Sequence, residues 1–413
     1  MNTNTNENTI LAGTGRSGDF VLSSQGTASA EGFRNVSSLW YPKTQSFAEG
    51  LEQIEKGIQS REDIETSLDC VSAIIDEKNR FAFAFDDGRE FLPSPHALRQ
   101  FSVKLGIPIT TVNHLTGEWA DAEGLGLLKQ TFNSGLRRHN DDQNTDERDR
   151  FIFRTYRAEG HNADDSGTCR AVLTDSFAAI DNRWFLDLLS NLIPDGRLSH
   201  WKGDCDEICG NILIPDSVRQ ESDSEYGGMI GVGNSEIGTG RISAVPSVFR
   251  AICMNGNIWD KVCGNELDKV HRGKIDLQLL AKRITLNIHE QIPLLSTIID
   301  RVLATRADEF GFGTVKATQL YACVKETFKL TPKQAKGAAE QWSQFESQDR
   351  NLFGLVNGIT RQSQLESNID WRSMDTLAGK LSAYDSDTWS NFLARAATYN
   401  EKAVCEALGL VAV

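Results

Sequence analysis

Few residues of this 413-residue chain stand in the spacings that chemistry requires. Cys205 and Cys209 are the one close-spaced pair among eight cysteines, the others being Cys70, Cys169, Cys253, Cys263, Cys323 and Cys405. They lack a companion Cys-x-x-Cys pair. His200 and His271 are unforced partners, so buried thiols are the expectation rather than a metal site or disulfides. Gly13-Thr-Gly-Arg-Ser-Gly18 matches G-x-G-x-x-G in form. That motif holds a pyrophosphate only between a strand and a helix N-terminus, and here a polar stretch precedes it. The glycines at 227, 228, 231, 233, 238 and 240 carry no Walker lysine. Gly231 and Gly233 share one strand face and admit a close approach by ligand or chain, although a twisted hairpin packed against a helix accounts for them more simply. The serine-hydrolase elbow, the zinc-protease helix and the zinc-deaminase signature are all missing. Asp175, Asp181 or Glu236 could serve a metal-dependent nuclease, although Asp and Asn at element ends are usually caps and turns. No cofactor and no metal are expected, and no reaction can be read from the residues.

Charge is more informative. The chain carries 43 basic and 57 acidic residues, net −14, which speaks against a uniformly cationic coat but leaves room for a local basic groove. Residues 187–236 hold ten acids against three bases. Residues 241–306 reverse the sign with ten bases against six acids, the bases including Arg241, Arg250, Lys261, Lys269, Arg272, Lys274, Lys282 and Arg283. Upstream, Arg148, Arg150, Arg154 and Arg157 interleave with Phe151, Phe153 and Tyr156. On a strand, 148, 150 and 154 point one way while 151, 153 and 157 point the other. Arginines backed by aromatics can follow phosphates and stack bases. An ordinary solvated strand face with its aromatics in the core fits the same residues equally well.

The elements that must position these groups can be read from periodicity. Residues 1–45 are rich in Asn, Thr, Ser and Gly and read as a flexible arm. Phe47, Leu51, Ile54 and Ile58 share a helical face, predicting helix over roughly 46–80. Arg80–Phe85 alternates as a strand, and Ser94-Pro95 caps a helix. Strands are expected at 151–157, 169–174 and 212–214, a helix at 181–193, and a glycine-turned hairpin over 229–245. Pro246 is expected to open a short helix carrying Phe249, Ile252 and Cys253. Beyond 262 the chain reads as helical, with Leu277, Leu280, Ile284 and Ile288 before the break at Pro293, and Thr331-Pro332 starting another helix. The fold class is therefore α+β. It divides into an arm (1–45), a mixed, mainly helical region (46–140), a strand-rich central domain (141–262) and a helical C-terminal region (263–413). No apolar run reaches the ~18 residues of a membrane span, and the N-terminus lacks a secretory pattern, so a cytoplasmic protein is expected.

Arg170-Ala-Val-Leu-Thr-Asp-Ser-Phe177, Asp181-Asn182, Gly233-Asn-Ser-Glu-Ile-Gly238 and Pro246-Ser-Val-Phe-Arg-Ala-Ile-Cys-Met-Asn-Gly256 resemble the phage/plasmid-like protein family, a domain of unknown function found on mobile elements. Pro95–Phe101, Leu105–Pro108 and Asn357–Thr360 look like further landmarks. The resemblance marks Asp181, Asn182, Asn234, Ser235, Glu236, Gly238, Arg250, Asn255 and Gly256 as its motif positions. Arg250 could contact phosphate, or pair with Glu236 across the hairpin–helix junction. What the resemblance implies is a role in the replication or recombination of a mobile element. Joined to the charge pattern, it leads to the expectation of a DNA-binding protein that acts on single strands by binding or annealing, compatible with a homo-oligomer and non-enzymatic. The alternatives are the nuclease, or another phosphate-processing enzyme, and a protein-binding factor that counters a host defence.

Overall fold

The structure, a computed structural model, describes residues 41–56, 58–117, 121–142, 150–158, 167–221, 224–251, 255–258, 267–269, 271–273, 275–366 and 368–410. Most of the expected arm lies outside them. Residues 41–45 are held in place: Gln45 bridges to Leu198, and the Arg197 guanidinium lies 4.5 Å from the Tyr41 ring centre.

Ser46 starts the first helix, α1 (Phe47–Glu55), with a reciprocal capping box to Glu49. The helix stops well short of residue 80. Ile58, fourth on the apparent helical face, instead opens strand β1 (Ile58–Ser67), followed by β2 (Val71–Ile75). The spacing at 47, 51, 54 and 58 is real, but pairing of β1 with β5 (Arg150–Ala158), unbroken from Ser60 to Ser67 after a register shift beyond Ile58, overrides it. β3 (Phe81–Phe85), β4 (Glu90–Pro93) and β6 (Gly167–Thr174) complete a sheet of order β1-β5-β6-β4-β3-β2. Helices α2 (Pro95–Lys104), α3 (Ile109–Thr116) and α4 (Ala122–Asp142) pack on one face of it. There Phe83, Phe101 and Phe153 meet edge to face at centroid distances of 5.1 to 6.2 Å. This sheet takes strands from both sides of residue 140, so a domain boundary there would cut it.

Helix α5 (Asn182–Leu192) leads into the second sheet. Its strands are β7 (Arg197–Gly203), β8 (Glu207–Leu213), β9 (Arg219–Gln220), β10 (Glu225–Ser235), β11 (Ile242–Arg250), β12 (Asn255–Ile258) and β13 (Leu267–Lys269). The expected hairpin is present, Gly231 facing Val245 and Gly233 facing Ser243, with Gly238 at φ +79° in its turn. The helix expected from Pro246 is instead strand. Proline lacks an N–H for the ladder, and Pro246 stands in a gap on β11's outer side, between β13 paired to 242–244 and β12 paired to 247–250.

Ile208, Ile212, Ile230, Val232, Ile242 and Ala244 form one buried face against α5, α6 (Leu277–Gln291) and α7 (Leu294–Ala304). The break between α6 and α7 falls at Pro293, as its missing donor demands. The C-terminal third is helical: α8 (Ala317–Phe328), α9 (Pro332–Gln341), α10 (Leu352–Ser363), α11 (Asn368–Ser382), α12 (Ser386–Ala397) and α13 (Glu401–Leu408). Thr331 caps α9 with Pro332 at its first position, and Tyr321, Ile359 and Trp389 are buried in a core of its own. The architecture is α+β.

Candidate functional site

Of the motif residues, Asp181, Asn182, Asn234 and Glu236 converge where the two sheets meet. Glu236 follows β10 and is 0% exposed. Its backbone N–H donates to the Asp206 carbonyl at 2.8 Å. Its Oε1 accepts the Asn182 N–H at 2.7 Å, placing a carboxylate at the positive N-terminus of α5. Its Oε2 accepts Arg170 Nη2 at 2.7 Å, and Arg154 Nη1 lies 3.6 Å from the same oxygen. Arg154 is only 4% exposed, and its donors are distributed over three elements. Nη1 donates to the Glu236 carbonyl at 2.9 Å, Nε to Asp63 at 2.9 Å and Nη2 to Asp181 at 3.1 Å. Arg170, 1% exposed, also reaches the Cys205 carbonyl and Asp206. Arg61 adds a third guanidinium, 3.7 Å from Glu236 Oε1. Asn234 donates to the Ile180 carbonyl and to Asn182 Oδ1, each at 2.8 Å.

Burial opposes charge on Arg170, but the Glu236 carboxylate outweighs it and holds the guanidinium above its ordinary value. Asp206 shifts upward, chiefly from burial, with Arg170 partly offsetting it. The Cys205 thiol is pushed up to about 12 by burial and by Asp206, which leaves it a poor nucleophile near neutral pH. Both Glu236 oxygens are engaged, and a guanidinium stands between Glu236 and Asp181. The arrangement joins two sheets and a helix, and offers no activated group.

Several sequence expectations are redirected by this geometry. Phe151 and Phe153 are 3% and 0% exposed in the core under α2 to α4, so neither ring can stack a base. Arg154 turns away from solvent because the hairpin turn beyond β10, with Ile237, covers that face of β5. Arg250 does not pair with Glu236. It bonds Glu346 at 3.1 Å, and its guanidinium lies 5.3 Å from the Phe353 ring centre. Asp175 is exposed in the turn after β6, apart from Asp181 and Glu236. His271 is committed to the Ala178 carbonyl through Nδ1 and stacks on Phe177. Among the described residues no group of three or more His, Cys, Asp or Glu side chains is placed to hold a metal.

The remaining candidates scatter. Arg150 is exposed, 3.9 Å from Glu65, while Arg157 and Tyr156 are half-buried on β5. Burial raises the Tyr156 phenol. Arg272, Lys282 and Arg283 are exposed, the last two on α6. Asn255 and Gly256 pair in β12 with Arg250 and Phe249, and Lys269 pairs in β13 with Ile242. Arg148, Lys261 and Lys274 lie outside the described residues.

Arg241 has a different setting. It lines an open cleft of about 750 Å³, bounded by the ends of β8 and β10, the hairpin turn, Phe328 and α11. Glu207 and Cys209 face Ser235 and Gly233 in register, so these four share the sheet face opposite the isoleucine core. Ser235 Oγ accepts the N–H groups of Ile237 and Thr239, and Thr239 Oγ1 donates to Glu207 at 2.9 Å, which fixes the turn. Ser373, Thr376, Leu377 and Lys380 form the facing wall at the spacing of one helical face. Arg170 stands first in the motif Arg170–Phe177, yet nothing in the sequence marks it as the partner of Glu236. Lys380 and Phe328 carry no motif at all.

Comparison with family models, with curated proteins and with solved structures gives no match. The likeness to phage- and plasmid-borne proteins therefore rests on the residues quoted above. No helix among the described residues is long and apolar enough to cross a membrane.

Proposed function

We propose that the protein is a non-enzymatic binder of single-stranded DNA, serving the replication or recombination of a mobile element. The observation that carries the reading is the open cleft with Arg241 on one wall and Lys380 on the other. Cations on facing walls suit a strand's phosphates, and a floor lacking side chains at Gly233 suits an extended polymer. An acidic chain bearing a confined cationic cleft would bind there and repel nucleic acid elsewhere. This differs from a track along β5, whose central arginine and two phenylalanines are structural.

Anisotropy of a labelled single-stranded oligonucleotide, titrated with the full chain in EDTA and then in magnesium across about 50 to 300 mM salt, tests it. Micromolar or tighter binding that weakens steeply with salt, with the oligonucleotide left intact, is expected. Absence of binding at the lowest salt would overturn it, and cleavage confined to magnesium would replace it with the nuclease.

A further inference from the structure

We infer that the cleft takes one nucleotide unit of the strand at a time, base inward, with its phosphate held between Arg241 and Lys380. The inference rests on the single-strand reading above and assigns the part of the ligand that the cleft encloses. Its volume, about 750 Å³, lies in the range of pockets that enclose a small molecule, roughly 300–1,000 Å³, which suits a unit larger than a lone phosphate. The lining is divided in the way such a unit requires. Arg241 leaves the sheet side directly after Gly240, and Lys380 rises from the end of the α11 face. Between them, the half-buried Phe328 supplies an apolar ring face for a base, while Ser373 and Thr376 offer hydroxyls that both donate and accept. Gly233 contributes no side chain, so a planar group can lie close to the β10 backbone.

The walls are fixed before any ligand arrives. The turn carrying Arg241 is tied by Ser235 Oγ to Ile237 and Thr239, and by Thr239 to Glu207. That bond also engages one oxygen of Glu207, the one carboxylate in the lining. Helix α11 is anchored beneath its cleft-facing residues by Met374, Leu377, Ala378 and Leu381 in the helical core. Rigid walls reduce the ordering cost of binding.

The test uses the full chain, wild type and two variants at exposed positions of α11, Lys380→Ala and Ser373→Trp, each first shown to melt as the wild type does. Lys380→Ala is expected to weaken oligonucleotide binding about tenfold and to lower the slope of log affinity against log salt by about one. Ser373→Trp, which fills the cleft, is expected to weaken it at least as much. An abasic strand of equal length should bind the wild type about tenfold more weakly than a normal strand, with the difference lost in Ser373→Trp. Deoxyadenosine monophosphate should displace the labelled strand at concentrations where inorganic phosphate does not. If the strand binds but both variants and the abasic strand behave as wild type does with normal strand, the cleft assignment falls while single-strand binding stands. If calorimetry detects the mononucleotide but no strand binds, the cleft holds nucleotides and the single-strand reading falls. If neither the strand nor the mononucleotide binds, both are overturned.

Discussion

Two buried glutamates hold this molecule together by the same device in different settings. Glu236 joins the two sheets and the start of α5, meeting Arg170 at 2.7 Å, Arg154 at 3.6 Å and Arg61 at 3.7 Å. Glu346 joins the second sheet to the helical third, accepting Arg250 at 3.1 Å and Arg361 at 2.9 Å. Its carboxylate is presented by a π-helical turn, Trp342–Glu346, that widens the end of α9. Phe353 lies within reach of two guanidinium groups there, 5.3 Å from Arg250 and 4.0 Å from Arg306. The difference is one of enclosure. The centre of the Glu236 network is the more enclosed, with Arg154 and Arg170 at 4% and 1% side-chain exposure and only Arg61 at its rim retaining 19%, whereas both guanidinium groups on Glu346, those of Arg250 and Arg361, retain 12% and 16%. Water reaches both guanidinium groups of the second junction and hardly reaches Arg154 and Arg170 in the first, so equal chemical damage should cost more at Glu236.

The largest expected effect follows from that contrast. Glu236→Gln removes the fully buried carboxylate shared by Arg154 and Arg170, leaving them only the partly exposed Asp63, Asp181 and Asp206, and should destabilise by about 3–5 kcal/mol, read as a lower urea midpoint. A loss under about 1 kcal/mol would show that water reaches Arg154 and Arg170 after all. Glu346→Gln should cost less, roughly 1–3 kcal/mol, because Arg250 and Arg361 are partly solvated. An equal or greater loss there would reverse the ranking of the two junctions.

Asp375 sharpens the comparison because no cation pairs with it among the described residues. It is 3% exposed and its oxygen accepts the Ser363 hydroxyl at 2.5 Å. Burial raises its carboxyl well above the usual range, with Ser363 opposing only in part. A raised folded value means that the folded chain keeps a proton the unfolded chain has lost. Stability therefore falls as pH rises from the unfolded carboxylate value, about 4, toward the raised one. Asp375→Asn should raise the melting temperature near neutral pH and flatten its decline as pH rises above the ordinary carboxylate value, about 4. An unchanged pH slope would mean that Asp375 is not the group responsible. The smallest effect is expected at Arg150, whose contact with Glu65 is 3.9 Å long and exposed on both sides. Arg150→Ala should change stability by no more than about 0.5 kcal/mol in thermal melts, and a larger loss would mean that the edge of the first sheet depends on this pair.

Much of the architecture was legible because it is local. Ser94-Pro95, Thr331-Pro332 and Pro293 mark helix starts and a break through donors that the backbone lacks or needs, and each stands where expected. The hairpin of β10 and β11 follows from its glycine turn, although β11 runs on through Pro246 to Arg250. The alternation at 151–157 correctly separated Phe153 from Arg154, yet both faces proved buried. A period of two reports which residues share a face, and has no means of reporting what covers it. The motif positions Asp181, Asn182, Asn234 and Glu236 do converge, but the Arg170 that completes them was legible only as part of a resemblance.

By itself the sequence determined the α+β class, the capped helix starts, the central hairpin and the sharing of faces, since these depend on caps, turns and periodicity within a few residues. Tertiary structure alone decided which guanidinium meets which carboxylate and which cations line the cleft. Arg170 and Glu236 are 66 residues apart, Arg154 and the Glu236 carbonyl 82, and Arg250 and Glu346 96. At such separations no spacing rule operates, and partners are chosen by how sheets and helices pack around charge that cannot be left unpaired.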